Sequence, residues 1–148
     1  MTEYLISAIL LGNAIWFAMG FLTFYLRREV FAKVMVPTRD DRNNTAYAAL
    51  VESGRFMGGF NFSLSVLNIG LLFGIPGFDT NAQMAFLLMF NAIAHGSQFF
   101  GNVPMALKNR RGEGLWIVFK GVMLKIFVID FVLMGANGIW AIAMMFWI

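Results

Sequence analysis

Apolar residues fill four long windows of the chain, at about residues 4–26, 46–75, 82–107 and 115–147, and polar residues interrupt them mostly at helical intervals. A helix that crosses a bilayer needs roughly 20 mostly apolar residues at about 1.5 Å each. Every window meets that length, so the pattern predicts four transmembrane helices forming a single domain over residues 1–148. The second window is free of charge from Phe56 onward, and the fourth is most apolar from Ile126. A Pro76-Gly77-Phe78-Asp79 turn separates the second window from the third. Pro104 is expected to kink or end the third helix, because proline lacks an N–H and crowds the preceding turn. The first window does not read as a cleaved signal peptide: it lacks a basic leading segment, Glu3 is its only early charge, and it is too long.

The interrupting residues form stripes. In the third window Asn91, His95, Gln98 and Asn102 are separated by four, three and four positions. In the second, Gly54, Gly58, Asn61, Ser65 and Asn68 follow intervals of four, three, four and three. Such intervals keep side chains on one helix face. Aligning the helices by their basic ends sorts the polar residues into two layers. Arg55, Asn61, Gln98, Asn102 and Asp130 fall near the basic end, with Lys125 at the edge and His95 slightly deeper. Asn13, Asn68, Asn91 and Asn137 fall near mid-membrane, one per helix. An unpaired amide in hydrocarbon is costly, so these four are expected to point inward and bond to one another, to backbone or to water, which argues for a four-helix bundle. Gly54-Gly58 and Gly70-Gly74 are small-xxx-small pairs that permit close helix approach. Asn13-Ala14-Ile15 recurs as Asn91-Ala92-Ile93, and each copy sits in a helix that runs into a basic loop. Three letters can recur by chance, and a duplicated helical hairpin is the alternative reading.

Charge orients the helices. Eight of the eleven basic residues lie in two loops, Arg27, Arg28, Lys33, Arg39 and Arg42 in the first and Lys108, Arg110 and Arg111 in the other. The excess of Lys and Arg on cytoplasmic loops places 27–45 and 108–114 in the cytoplasm and both termini on the opposite side. The expectation is an all-α integral membrane protein of four antiparallel helices, in a bacterial inner membrane or a eukaryotic endomembrane. Tyr4 and Trp147 then mark the outer interface, Tyr25 and Trp116 the inner one. The chain is 59% hydrophobic and 13% charged, against about 45–50% and about 25% in soluble domains. That excludes an ordinary cytosolic domain, a disordered chain and a nucleic-acid module. The net charge of +3 is therefore a topology signal. With no cysteine there is no disulfide, Cys-ligated zinc, Fe–S cluster or thiolate nucleophile, and a single histidine cannot build a multi-His metal site within one chain.

No catalytic constellation stands out: there is no paired-carboxylate motif, no phosphate loop and no Ser/His/Asp set. The candidate ligand-binding residues are Arg55, Asn61, His95, Gln98 and Asp130. On a functional reading they line a site for a quinone, a sterol or another lipid, since an intramembrane ionisable group is a functional hypothesis by default. On a structural reading Asp130 pairs with Arg55, or with Lys125 through a neighbouring helix, while Glu52, Arg55, Lys120 and Lys125 extend to the headgroups. His95 then joins helices by hydrogen bonding. It is also the sole metal candidate, as a haem or copper ligand completed by Met89, another side chain or another subunit. Glu52 and Arg55 share a helix face. Trp16 packs on a partner or a ligand, and the 11 methionines suit apolar packing. No cofactor is assigned. The leading expectation is a non-catalytic scaffold or accessory subunit packed against larger membrane proteins and lipid, with a homo-oligomer also open. A lipophilic-ligand protein ranks second, and a haem- or copper-bearing subunit of a membrane oxidoreductase third.

From Phe24 to Pro104 the chain resembles the Erg28-like four-helix membrane family. The likeness lies in Phe24-Tyr25-Leu26-Arg27 at the end of the first helix, a following loop with Lys33 and Pro37, Gly54-Arg55-Phe56-Met57-Gly58 running into Ser63-Leu64-Ser65-Val66, and Ala94-His95-Gly96 in the third helix. The chain departs from that pattern at Met57-Gly58-Gly59-Phe60 and at Gln98, near an acidic position of the family. The resemblance implies a scaffold that tethers sterol-modifying enzymes in a membrane, with Arg55 and His95 as internal polar contacts.

Overall fold

The protein is all-helical, as a computed structural model describes it for residues 2–74 and 80–146. Five α-helices are present: α1 (Thr2–Phe21), α2 (Arg28–Met35), α3 (Thr45–Leu72), α4 (Asn81–Asn109) and α5 (Gly121–Phe146). No strand occurs among the described residues. The Pro76–Asp79 turn and Trp147 lie outside them.

Contacts between the long helices run in opposite chain directions. Along α1 and α3, Asn13 meets Asn68 and Ser65 donates to the Ala14 carbonyl at 2.9 Å. Further along, a side chain at Gly54 or Gly58 would collide with Phe24 or Tyr25. Along α4 and α5, His95 meets Asp130 and Leu88 packs in one cluster with Ala141. The α1–α3 approach follows directly from the sequence. A Cβ on Gly54 would lie 2.7 Å from the Phe24 carbonyl oxygen, and one on Gly58 would lie 2.6 Å from the Tyr25 Cβ. Only glycine lets the two backbones come that close.

The interior joins apolar clusters to a buried polar layer, and the exterior is rich in large apolar side chains. Asn13, Asn68, Asn91, His95, Asp130 and Asn137 are all fully buried, while Phe56 and Phe60 are 76% and 74% exposed. Two stretches, Glu3–Leu26 and Gly121–Phe146, are long and apolar enough to cross a membrane, and only 22% and 17% of their apolar windows are buried. A core helix of a soluble protein would bury most of that surface. The helices α3 and α4 are longer still, at 28 and 29 residues. Their amide, serine and glycine stripes and charged ends lower their hydropathy.

Four boundaries depart from the sequence pattern. The first window does not stay α-helical to residue 26: after Phe21 it widens into a π-helical turn, Leu22–Leu26, closed by Arg27 N–H to the Leu22 carbonyl at 2.8 Å. The first basic loop contains α2, whose Ala32 is buried, and a 3₁₀ turn at Asp40–Arg42. Arg42 holds this segment by donating to the carbonyls of Val36 and Pro37, each at 2.7 Å. Pro104 does not end α4, which continues to Asn109. One N–H is lost there, but Met105 and Ala106 pack against Val118 and hold the last turn in place. The fourth helix begins at Gly121 rather than near 115. The Asn109 side chain bonds the Glu113 and Trp116 carbonyls and the Val118 N–H, which ties 113–118 back onto α4. Asn44 caps α3, and Thr80 with Gln83 forms a capping box on α4.

Candidate functional site

The buried polar residues form one connected network. Asn13 and Asn137 exchange amide hydrogen bonds in both directions at 2.9 Å, and Asn68 and Asn91 do the same at 3.0 and 3.1 Å. Asn13 also donates to Asn68 at 3.1 Å and so joins the two pairs. His95 extends the network. Its Nε2 lies 3.2 Å from Asn13 Oδ1 and its Nδ1 lies 3.0 Å from Asp130 Oδ1. Trp16 Nε1 donates to the same Asp130 oxygen at 2.9 Å. Phe17 stacks on the imidazole with ring centroids 4.6 Å apart.

Backbone carbonyls set the direction of every bond. Asn137 donates to the Leu133 carbonyl and Asn68 to the Leu64 carbonyl, which fixes which end of each amide carries nitrogen. Asn137 Oδ1 and Asn68 Oδ1 therefore both face the Asn13 NH₂, and Asn13 turns its oxygen toward His95. An oxygen has nothing to donate, so His95 Nε2 carries the hydrogen. A second proton must lie between Nδ1 and Asp130 Oδ1, because two lone pairs 3.0 Å apart would repel. Whether it sits on nitrogen or oxygen, the pair carries no net charge, which suits a fully buried site. Asp130 Oδ2 is buried and meets no donor among the described residues.

The network has an internal two-fold pattern. An offset of 78 residues carries Leu10, Asn13, Ala14 and Phe17 of α1 onto Leu88, Asn91, Ala92 and His95 of α4, and all eight are buried. An offset of 69 carries Asn61 and Asn68 of α3 onto Asp130 and Asn137 of α5, again all buried. The reciprocal pair Asn13–Asn137 thereby maps onto Asn91–Asn68, and Phe17 stacks on its own counterpart, His95. One half thus carries His95 and Asp130 where the other carries Phe17 and Asn61.

Beside the network lies a mostly apolar cleft of about 560 Å³ between α1 and α5. Ile15, Met19, Ile129 and Leu133 supply apolar wall, Trp16 separates it from Asp130, and Asn61 and Gln98 give it a polar side. Lys125 is the single charged residue of its lining, and Val30 of α2 also lines it.

The structure divides the five candidate residues. Asn61 and Gln98 line the cleft. His95 and Asp130 lie together in the network, not with the shallower polar residues. Arg55 is separate from both. The expected Asp130–Arg55 pair does not form: Arg55 donates to Glu52 at 2.7 Å on the exposed side of α3, and Glu52 also pairs with Arg28 at 3.1 Å. The reason is angular. Gly54 lies on the stripe that faces α1, and one residue further turns about 100° away from it. As a metal ligand, His95 has no free nitrogen, since Asp130 and Asn13 engage both. No group of three His, Cys, Asp or Glu side chains converges among the described residues. On α2, Lys33 donates to Glu29 at 3.0 Å, and that bond, with the Lys33 charge, holds the Glu29 carboxyl below its ordinary value. Trp16, expected against a partner or a ligand, and Lys125, expected at the headgroups, both line the cleft.

Fold and site together define a helical protein with two helices able to cross a membrane, a buried amide–imidazole network and an adjoining apolar cleft. No family model matches the chain, and neither a curated protein nor a solved structure matches it.

Proposed function

We propose that the chain is an integral membrane protein that holds a lipophilic molecule in the cleft between α1 and α5. Its four long helices would span the bilayer antiparallel, with both termini outside and the basic loops in the cytoplasm. The inside-out distribution of polarity supports the membrane placement: amides, imidazole and carboxyl inside, phenylalanine and isoleucine outside. The observation that carries the binding role is the cleft itself. Its volume lies within the roughly 300–1,000 Å³ of ordinary ligand sites, and it joins apolar walls to a few polar groups. Asn61 and Gln98 would orient the head of the ligand. His95 and Asp130 act one layer behind, by holding Trp16 in the cleft wall.

The test is purification in mild detergent from native membranes, with mass spectrometry of lipid and protein. The expected result is one enriched lipophile, lost in Met19→Trp, which fills the cleft without touching the network. An unenriched lipid profile that is identical in the two proteins would contradict the reading.

A second reading is the non-catalytic scaffold or accessory subunit, to which the Erg28-like resemblance also points. It is favoured by the open space around Gly59, Gly101 and Gly135, where a side chain would meet nothing within 4 Å. Glycines on an outward helix face allow another helix to pack closely. A stoichiometric larger membrane protein in the same purification would support it.

A further inference from the structure

We infer that the cleft is built for a single-chain amphiphile with an anionic head, a carboxylate or a phosphate monoester, and this inference rests on the lipophilic-ligand reading. Lys125, the only charged residue in the lining, forms no ion pair among the described residues. It stands near the start of α5, eight residues before Leu133, so charge and apolar wall are separated along the helix by about 12 Å at 1.5 Å per residue. The cleft is therefore polarised lengthwise. A cation marks one end, Thr23, Gln98 and Asn61 (whose NH₂ also donates to the Met57 carbonyl) add polar groups, and the rest is mainly apolar or aromatic surface that includes Trp16 and Leu133.

Charge complementarity selects the occupant. A neutral quinone or sterol gains nothing from the exposed Lys125 ammonium at the end of the cleft, whereas an anionic head accepts a charge-assisted bond from it. The same end of the molecule carries the basic segment that includes Arg27 and Arg28. Arg28 pairs with Glu52, and Arg27 adds positive potential at that end. Trp16 lies where the chain of such a ligand would run, and its indole N–H is already committed to Asp130. It therefore offers the ligand only its ring face.

The experiment uses the full chain in detergent micelles and bromine-labelled probes, since bromine on an acyl chain quenches a tryptophan it touches. Dibromostearate is compared with its methyl ester, which keeps the chain and removes the charge. A brominated lysophosphatidate and a brominated phosphatidylcholine complete the set. Dibromostearate and the lysophosphatidate are expected to quench saturably. Lys125→Met should weaken both by about five-fold, the effect of one cation near a lipid head, and leave the ester unchanged. Trp16→Phe should remove the saturable component of quenching. Preference for the carboxylate or for the phosphate would identify the source of the anion. Equal binding of acid and ester, unaffected by Lys125→Met, would overturn the anionic-head inference while the lipophilic-ligand reading stands. Phosphatidylcholine that quenches as well as the acids and displaces them would also overturn it, the cleft being then filled by ordinary bilayer lipid. No saturable quenching by any probe would remove both readings together.

Discussion

His95 is the residue at which the network can be read most sharply, because it is the chain's single histidine. The amide directions predict a hydrogen on Nε2 and a shared proton between Nδ1 and Asp130. Nitrogen-15 spectroscopy of histidine-labelled protein should therefore show a single imidazole protonated at Nε2 and strongly hydrogen-bonded at Nδ1. A neutral ring protonated only at Nδ1 would refute the assignment. Part of this site was legible in the chain. The four asparagines at matching depth follow from intervals of helix geometry, and their mutual bonding follows from the cost of a lone amide in hydrocarbon. The partner of Asp130 was not legible. Depth along a helix constrains height, but each residue also turns about 100° around the axis, and Arg55 and Gly54 differ by one such step.

The helices show where periodicity suffices and where it fails. The stripe Gly54, Gly58, Asn61, Ser65 and Asn68 is buried in full, as its intervals require. Gly58→Val should destabilise the α1–α3 contact by about 1–3 kcal/mol, the usual cost of overpacking, because the new side chain meets Tyr25 backbone that has no room to retreat. Reversible unfolding in mixed micelles would measure it, and a loss under a few tenths of a kcal/mol would contradict the close approach. Periodicity failed at the start of α5 because Asn109 determines it from a distance, through bonds to residues four to nine positions away. It failed at α2 for want of length: eight residues fall short of a membrane window, although Val30, Phe31, Val34 and Met35 follow an amphipathic helical pattern. Pro104 shows the reverse, a local helix breaker overridden by the packing of Met105 and Ala106.

At the scale of the molecule, six buried positions of the α1–α3 pair recur in the α4–α5 pair, and the recurring Asn-Ala-Ile triplet was the trace of this in the letters. The other correspondences join unlike residues, Phe17 with His95 and Asn61 with Asp130, which no search for identity would pair. The pattern makes a quantitative prediction. His95→Phe alone strands a buried carboxyl and should cost about 3–5 kcal/mol. The double variant His95→Phe with Asp130→Asn installs the residues of the other half and should recover most of that loss. Additive losses in the double variant would contradict the two-fold equivalence. Topology is tested by single cysteines in this cysteine-free chain. A cysteine at Asp41 should react with an impermeant maleimide only from the cytoplasmic side, and one at Thr2 only from the other; labelling of both from one side would contradict four spans. The cleft between α1 and α5 is proposed to hold a particular lipophilic molecule. Its occupancy is tested most directly by placing a photo-crosslinking benzophenone residue at Ile129, which lines the cleft, and at Val128, which is exposed beside it. After irradiation in native membranes, one discrete small-molecule adduct is expected at position 129 and a spread of bulk lipid adducts at 128. The same bulk lipid adducts at both positions would contradict that occupancy.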